Sequence, residues 1–382
     1  MRVQLYNSSA RGTGQFVRSI KLARLIAEAV DGSVVEILAG NCIVPKELPP
    51  RTKIVALPQI HKSLRGEYVT DGESVESAFR RRNTAISEAV WKFDPDYFFV
   101  DSRPLGLRDE LRDVLGQLSG TKCRSILLLR DIVDDSQIVR NQWREAKWYQ
   151  AVQALYQQVL VLGERDLYDA VAEYEFSNFD HKVHHIGYLD GGWSSQDTLE
   201  PKLSSTARKN ILVTVGGGFD GDSVIQVVWK HIQQNNDQFA HLDYTIVLGM
   251  NSSLSEHALR SVLPNVAKKV TVYKHVSDMT SLFVKSDVIV SMGGYNTLTE
   301  LVYLKKKVIV VPRAHAGREQ AIRAQLFAKA CDGIWAAYPL AFTTAALASL
   351  LEQALLAPSP TASFPFNARL NFLSFVRRQE LK

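Results

Sequence analysis

Between Ser286 and Arg323 the chain runs through an apolar stretch, Val288-Ile289-Val290, then Gly293-Gly294, then a helical pattern from about Asn296, then a second apolar stretch from Lys307 to Val311. Strand, glycine turn, helix, strand is the unit of a parallel α/β sheet, and it constrains the fold more than any other part of the sequence. In such a sheet the turn lies at the carboxyl edge of the strands. The next helix directs its free backbone N–H groups into that edge, which makes the turn a candidate anion site. Glu300 falls about one turn into the helix. A carboxylate there suits a ribose diol while the helix dipole holds a phosphate. The competing reading makes Glu300 the acid of a capping box, with Asn296 or Thr297 as the cap.

The length of 382 residues fits two domains of ordinary size. With 46% apolar and 22% charged residues the composition is that of a normal globular protein. The balance of 45 basic to 40 acidic residues, net +5, is mild. It permits attraction to anionic lipid or phosphorylated substrates without requiring either. No zinc-finger spacing, basic-region heptad or aromatic–basic RNA-binding pattern occurs, so nucleic acid is not an expected partner. Cys42, Cys123 and Cys331 are odd in number and far apart, which reads as reduced thiols and not as a disulfide framework. No signal-peptide pattern follows Arg2, and no run approaches the ~20 apolar residues that span a bilayer. A cytoplasmic protein is expected, with peripheral contact to the inner face of the membrane left open.

The first half alternates strand and helix patterns. Strands are expected at Arg2 to Tyr6, Ser33 to Leu38, Lys53 to Leu57, Tyr97 to Val100, Ser125 to Leu129, Val159 to Leu162 and His184 to Leu189. The loop Asn7 to Gln15 holds Gly12, Thr13 and Gly14 between the first strand and a helix whose polar side is read as Arg18, Lys21 and Arg24. Asp101 and Asp131 each directly follow an apolar strand, at the ligand-facing edge, where an aspartate serves as a base or as a cap. Asp94-Pro95-Asp96 precedes its strand and so lies at the wrong edge for a metal motif. His184 and His185 point to opposite faces of a strand and cannot share one ion. Arg80-Arg81-Arg82 reads as a solvated helix face, with an acceptor phosphate or lipid headgroup as the alternative.

Asp190 to Lys209 is polar, rich in Ser and Gly, and is the best linker in the chain. The expected organisation is a first domain over 1–190, a linker over 191–209 and a second domain over 210–382. Ile211 to Val215 opens the second domain and runs into Gly216, Gly217 and Gly218 ahead of a helix, a loop through which a diphosphate can approach the backbone. Asp220 and Asp222 are read as capping that helix.

The phrases GGYNTLTEL, VIVVPR and GREQAIRAQLFAKA together resemble the donor-binding half of GT-B glycosyltransferases, specifically the MurG-like family whose C-terminal domain is called family 28. VDSRPLGLRDEL and LLLRDIVDD resemble a bacterial branch of predicted glycosyltransferases more than MurG itself. The resemblance implies an α/β fold of two Rossmann-like domains facing across a cleft, with the last helix packing toward the first domain. It puts Gly294, Thr297 and Glu300 on the family's glycine, threonine and ribose-binding glutamate, with Asn296 in the same turn. Glu319 and Gln320 fall on its paired glutamines, Gly216 to Gly218 on the donor-diphosphate loop, and Val276 on the segment that reads the base. The family's serine in the diphosphate loop is Gly218 here. Gly12, Thr13 and Gly14 fall in the acceptor loop, where the family carries a His and this chain has Gln15. Glutamine cannot take a proton, so Asp101 and Asp131 become the candidate bases and Gln15 an orienting group.

The resulting expectation is an inverting transfer of a sugar, hexosyl or N-acetylhexosaminyl, from a nucleotide-diphosphate donor to an acceptor hydroxyl. The donor is expected to be UDP-linked by resemblance alone. The acceptor is a small molecule, glycan or lipid-linked group, with no metal and no cofactor beyond the donor substrate. A nucleotide-sugar hydrolase or epimerase on the same fold, and a non-catalytic nucleotide-sugar-binding subunit, are the alternatives that Gln15 keeps open.

Overall fold

The computed structural model describes residues 1–8, 14–40, 47–63, 67–70, 72–189, 208–234, 241–261, 270–314, 317–361 and 364–380. The chain forms two compact units, Met1–Gly192 with Pro365–Lys382, and Trp193–Phe364. The expected linker at 191–209 lies, up to residue 207, outside the described residues, as do Gly12, Thr13 and Cys42.

The first unit is built on strands β1 (Arg2–Asn7), β2 (Val34–Ala39), β3 (Thr52–Ala56), a short antiparallel pair β4 (His61–Lys62) and β5 (Tyr68–Val69), then β6 (Tyr97–Asp101), β7 (Arg124–Arg130), β8 (Gln158–Leu162) and β9 (Val183–His185). Its main sheet is parallel, in the order β3-β2-β1-β6-β7-β8-β9. The second unit contains β10 (Lys209–Thr214), β11 (Leu242–Val247), β12 (Val270–Tyr273), β13 (Val288–Ser291), β14 (Lys307–Val310) and β15 (Ile334–Ala336), parallel in the order β12-β11-β10-β13-β14-β15. Both are doubly wound sheets. Each reverses direction once, between β1 and β6 in the first and between β10 and β13 in the second, and those two points are where such sheets bind ligands.

The central strands are mostly apolar, as in Ile126 to Leu129, Val159 to Leu162 and Val288 to Val290, because helices cover both faces of a parallel sheet. Val213, Ile246, Val272, Val290 and Ile309 are fully or almost fully buried in the second unit, packed under the helix Asp222–Gln234 and the helix Thr344–Leu356. The last helix, Ala368–Glu380, belongs to the first unit and packs on the helix Gly14–Ala29, with Arg369 donating to the Glu28 carbonyl at 3.0 Å. Cys123 and Cys331 are buried free thiols, pushed up to about 12 by loss of water, and so inert at neutral pH.

Several expectations are corrected. The strand expected over His184 to Leu189 ends at His185, because Gly187 turns the chain with φ at 84°. β15 and the β4–β5 pair gave too short an apolar signal to be read. Arg18 is not on a polar face: it is 3% exposed. Arg80 and Arg81 are exposed, but Arg82 is buried and grips Glu110 through Nε and Nη2, both at 2.8 Å, with Tyr6 donating its hydroxyl to the same carboxylate. This ties the helix Val75–Phe93 to β1 and to the turn after β6, a structural role for a residue read as solvated. Burial drives the Tyr6 phenol upward, so it stays protonated as the donor.

Candidate functional site

At the carboxyl edge of the second unit, the loops after β10 and β11 interlock backbone to backbone. Gly216, Gly218 and Gly249 take φ of 63°, 86° and 84°. A Cβ on Gly249 would stand 2.5 Å from the Gly216 carbonyl oxygen and 2.6 Å from the Gly218 nitrogen. Only glycine fits such a crossing. Asn251 fixes it further, its backbone N–H and its Nδ2 donating to the Gly217 carbonyl at 2.9 and 3.0 Å. Asp222 accepts from the Ser253 N–H at 3.0 Å and from the hydroxyls of Ser252 and Ser253. Asp222, read as a cap, is the first residue of its helix, and its carboxylate holds the neighbouring loop. Gly216 itself is exposed with open space where a side chain would be.

Across the sheet reversal, Gly294 caps the helix Tyr295–Tyr303 without any side-chain hydrogen bond, and it too faces open space. Asn296 and Thr297, both half-buried, lie in the first turn. Glu300 is the sixth residue of this helix, in its second turn, whereas a capping box needs its acid at the third. The capping reading of Glu300 is thereby removed. The half-buried carboxylate accepts from the Thr280 hydroxyl at 3.3 Å. Thr280 is itself held in the short helix Met279–Lys285, which Asp278 caps through the backbone N–H groups of Thr280 and Ser281. That cap keeps the Asp278 carboxyl below its usual range, chiefly through the Ser281 hydroxyl. Val276 lies half-buried just ahead of this helix. Nothing in the sequence pointed to Thr280 as the partner of Glu300.

The loop after β14 supplies Glu319 and Gln320. Glu319 is 2% exposed and forms an ion pair with Arg313 Nη2, while Gln320 Oε1 accepts the Arg313 backbone N–H at 3.0 Å. Arg313 Nη1 also approaches Asp220 at 3.5 Å, joining this loop to the glycine loop after β10. Buried Arg323 donates to the Gly293 carbonyl at 2.8 Å and lies against the Tyr295 ring. A Cβ on Gly293 would meet the Gln320 carbonyl at 2.7 Å, which is why that glycine is required. The sequence-predicted donor residues thus share one carboxyl edge, with Glu319 and Gln320 engaged by Arg313.

In the first unit, the loops after β1 and β6 meet. Gln15 Nε2 donates to Ser8 Oγ at 3.1 Å, and Ser8 Oγ donates to the Asp101 carbonyl at 3.0 Å. Arg18 Nη2 donates to both carboxylate oxygens of Asp101, at 2.6 and 2.8 Å, and Ser102 Oγ donates to Oδ1 at 2.7 Å. Asp101, read as a candidate base, is spent on a buried ion pair. Protonating it would leave the Arg18 charge buried without its counter-charge. Asp131 follows the next strand, β7, and is 2% exposed. Its Oδ1 accepts the Ile132 N–H at 2.7 Å and Oδ2 the Tyr188 hydroxyl at 3.4 Å. Gly163 makes room for it, since a Cβ there would stand 2.7 Å from the Asp131 Cβ. Gly14 opens the first helix and is exposed. Asp94 and Asp96 are at the opposite edge, where Asp96 accepts the Arg2 backbone N–H at 2.7 Å.

Residues 210–359 match the family described as glycosyltransferase family 28 C-terminal domain. Among curated protein sequences none matches the chain. Among solved structures, MurG from Acinetobacter baumannii superposes with a TM-score of 0.58 at 13% identity, covering 99% of both chains. The spinosyn forosaminyltransferase SpnP gives 0.60 at 15% identity over 99% of this chain and 94% of its own. A UDP-glucosyltransferase from Polygonum tinctorium gives 0.59 at 11% identity over 99% and 93%. The chain therefore has the GT-B fold, with residues 210–359 similar to the glycosyltransferase family 28 C-terminal domain, an arrangement similar to that of MurG-like glycosyltransferases.

Proposed function

We propose that this protein is an inverting glycosyltransferase that moves a sugar from a nucleotide-diphosphate donor, UDP-linked by resemblance, to an acceptor hydroxyl. The observation that carries the reading is the carboxyl edge of the second unit. The interlocked glycine loops and the start of the helix Tyr295–Tyr303, capped by Gly294 without a side-chain hydrogen bond, flank the sheet reversal, with Glu300 held by Thr280 beside them. Backbone N–H groups there suit a diphosphate, and the Glu300 carboxylate suits a ribose diol. As the bond to the sugar breaks, the same preorganised donors would stabilise the charge that develops on the leaving diphosphate, each such donor contributing ~3 kcal/mol.

Proton removal from the acceptor falls to Asp131 in this reading, because Asp101 is committed to Arg18. Gln15, held by Ser8, orients the acceptor and takes no proton. The acceptor belongs to the first unit, and the protein acts in the cytoplasm or at the inner face of the membrane. Among the described residues no helix is long and apolar enough to cross a membrane.

Turnover tests the reading against its rivals. The chain is incubated with UDP-linked sugars, with and without candidate acceptors, and both UDP and free sugar are followed. Acceptor-dependent UDP release with a new glycoside of inverted configuration is expected. Free sugar released at the same rate without acceptor means a hydrolase, and binding without any turnover means a donor-binding subunit.

A further inference from the structure

The turn after β6 carries a cation that the proposed chemistry has not used. Ser102 is a non-glycine residue with φ at 69°, and the Arg103 N–H donates across it to the Asp101 carbonyl at 2.8 Å. That is a γ-turn of the strained hand, a conformation that persists only where its surroundings enforce it and that clusters at functional sites.

The surroundings do enforce it. The Ser102 N–H donates to the Leu128 carbonyl at 2.9 Å, the Gly106 N–H to the Arg103 carbonyl at 2.9 Å, and the Leu111 N–H to the Leu105 carbonyl at 3.1 Å. Buried Tyr156 donates its hydroxyl to the Pro104 carbonyl, and the Ser102 hydroxyl is spent on Asp101. Pro104, Leu105 and Gly106 are all buried. The exception in this fastened turn is the Arg103 guanidinium, which is half-buried and, among the described residues, has neither an ion pair nor a hydrogen bond. The adjacent acid, Asp101, is already neutralised by Arg18.

A partly desolvated guanidinium without a counter-ion, on a backbone that cannot relax, at the edge where a doubly wound sheet takes its ligand, is an oxyanion receptor. Its planar fork matches a phosphate or carboxylate through two parallel hydrogen bonds. We infer that Arg103 binds an anionic group of the acceptor, so that the acceptor is a phosphate- or carboxylate-bearing molecule rather than a neutral alcohol. The strained turn is then the device that aims the guanidinium, and Asp101 acts by keeping Arg18, not Arg103, as its partner. This assignment rests on the reading that the first unit takes the acceptor.

The test is arginine-selective modification of the full chain with phenylglyoxal, read per residue by peptide mass spectrometry. It is run in chloride, methyl phosphate and acetate at equal ionic strength. Arg103 should react in chloride, whereas Arg18 and Arg82, buried in ion pairs, should not. At about ten times its dissociation constant, methyl phosphate or acetate should slow modification of Arg103 by about tenfold, and leave exposed Arg80 unaffected. Protection by methyl phosphate identifies a phosphate-bearing acceptor, and protection by acetate a carboxylate-bearing one. An Arg103 that does not react in chloride, or that neither anion protects more than it protects Arg80, overturns the assignment. Because the readout is confined to the first unit, it can fail while nucleotide binding in the second succeeds, or the reverse.

Discussion

Arg18 and Asp101 meet at 2.6 Å with each side chain 3% exposed, linking the helix after β1 to the end of β6 across the reversal of the first sheet. A buried pair of this kind contributes little net energy compared with an apolar pair, but removing one partner strands the other charge. Asp101→Asn should therefore destabilise the first unit by ~3–5 kcal/mol, seen as a fall in the denaturant midpoint. Arg18→Gln should cost a similar amount, and the double variant less than the two together. A stable Asp101→Asn protein that has lost turnover would instead make Asp101 a base.

Asp131→Asn separates chemistry from folding. Asparagine keeps the shape under Gly163 and still accepts the Ile132 N–H, so the fold and nucleotide affinity should persist while turnover falls ~10²- to 10⁴-fold, the range of general-base contributions. Unchanged steady-state turnover would remove Asp131 from the mechanism.

Two glycines at one edge should respond oppositely to alanine. Gly249→Ala forces a Cβ to 2.5 Å from the Gly216 oxygen at a φ of 84°, so it should destabilise by more than ~1 kcal/mol and abolish diphosphate binding. Gly294→Ala meets nothing within 4 Å at a φ of −66°, so the N-cap preference for glycine over alanine is opposed by alanine's smaller loss of chain entropy, and stability should change by less than ~1 kcal/mol. If the diphosphate lies against that helix start, Gly294→Ala should nevertheless weaken nucleotide binding. Calorimetric titration of both variants checks this.

Stability should depend on pH through two interior histidines. Burial away from water pushes His185 in the first unit and His231 in the second below their ordinary value, against a weaker pull from Asp169 on His185 and from the Thr344 backbone on His231. The unfolded chain then takes up a proton at a higher pH than the folded one, so stability is fully present above the unfolded value of about 6.5 and is lost as pH falls below it. Urea unfolding at pH 7.5 and 5.5 should show this loss, and His185→Leu should reduce it.

Much of this architecture is legible in the sequence because its strands are apolar runs that end at glycine, as in Ile211 to Gly218 and Val288 to Gly294, each interrupted by a single small polar residue, Thr214 and Ser291. What escaped the sequence are interactions between distant residues. Arg18 has the spacing of a helix's polar side, and only the meeting of β1 with β6 shows that it is buried on Asp101. Arg82 lies inside a basic triplet that reads as solvated, and its partner Glu110 is 28 residues away. Arg313 and Glu319 are close in sequence, yet their ion pair depends on how one loop folds. Thr280 and Glu300 come from successive helices whose contact no local pattern encodes.

The central claim is that the second unit holds a nucleotide, with Glu300 on its ribose. Thermal unfolding of the chain and of Glu300→Ala is measured against uridine, guanosine, adenosine, cytidine and thymidine diphosphates and their sugar conjugates. A ligand at a hundred times its dissociation constant stabilises the fold by ~2.7 kcal/mol. One nucleotide, expected to be UDP, should raise the transition clearly in the native chain, and Glu300→Ala should fold normally but lose at least about tenfold in affinity, the scale of a hydrogen bond to a charged group. No shift with any nucleotide, or an equal shift in Glu300→Ala, would contradict the account.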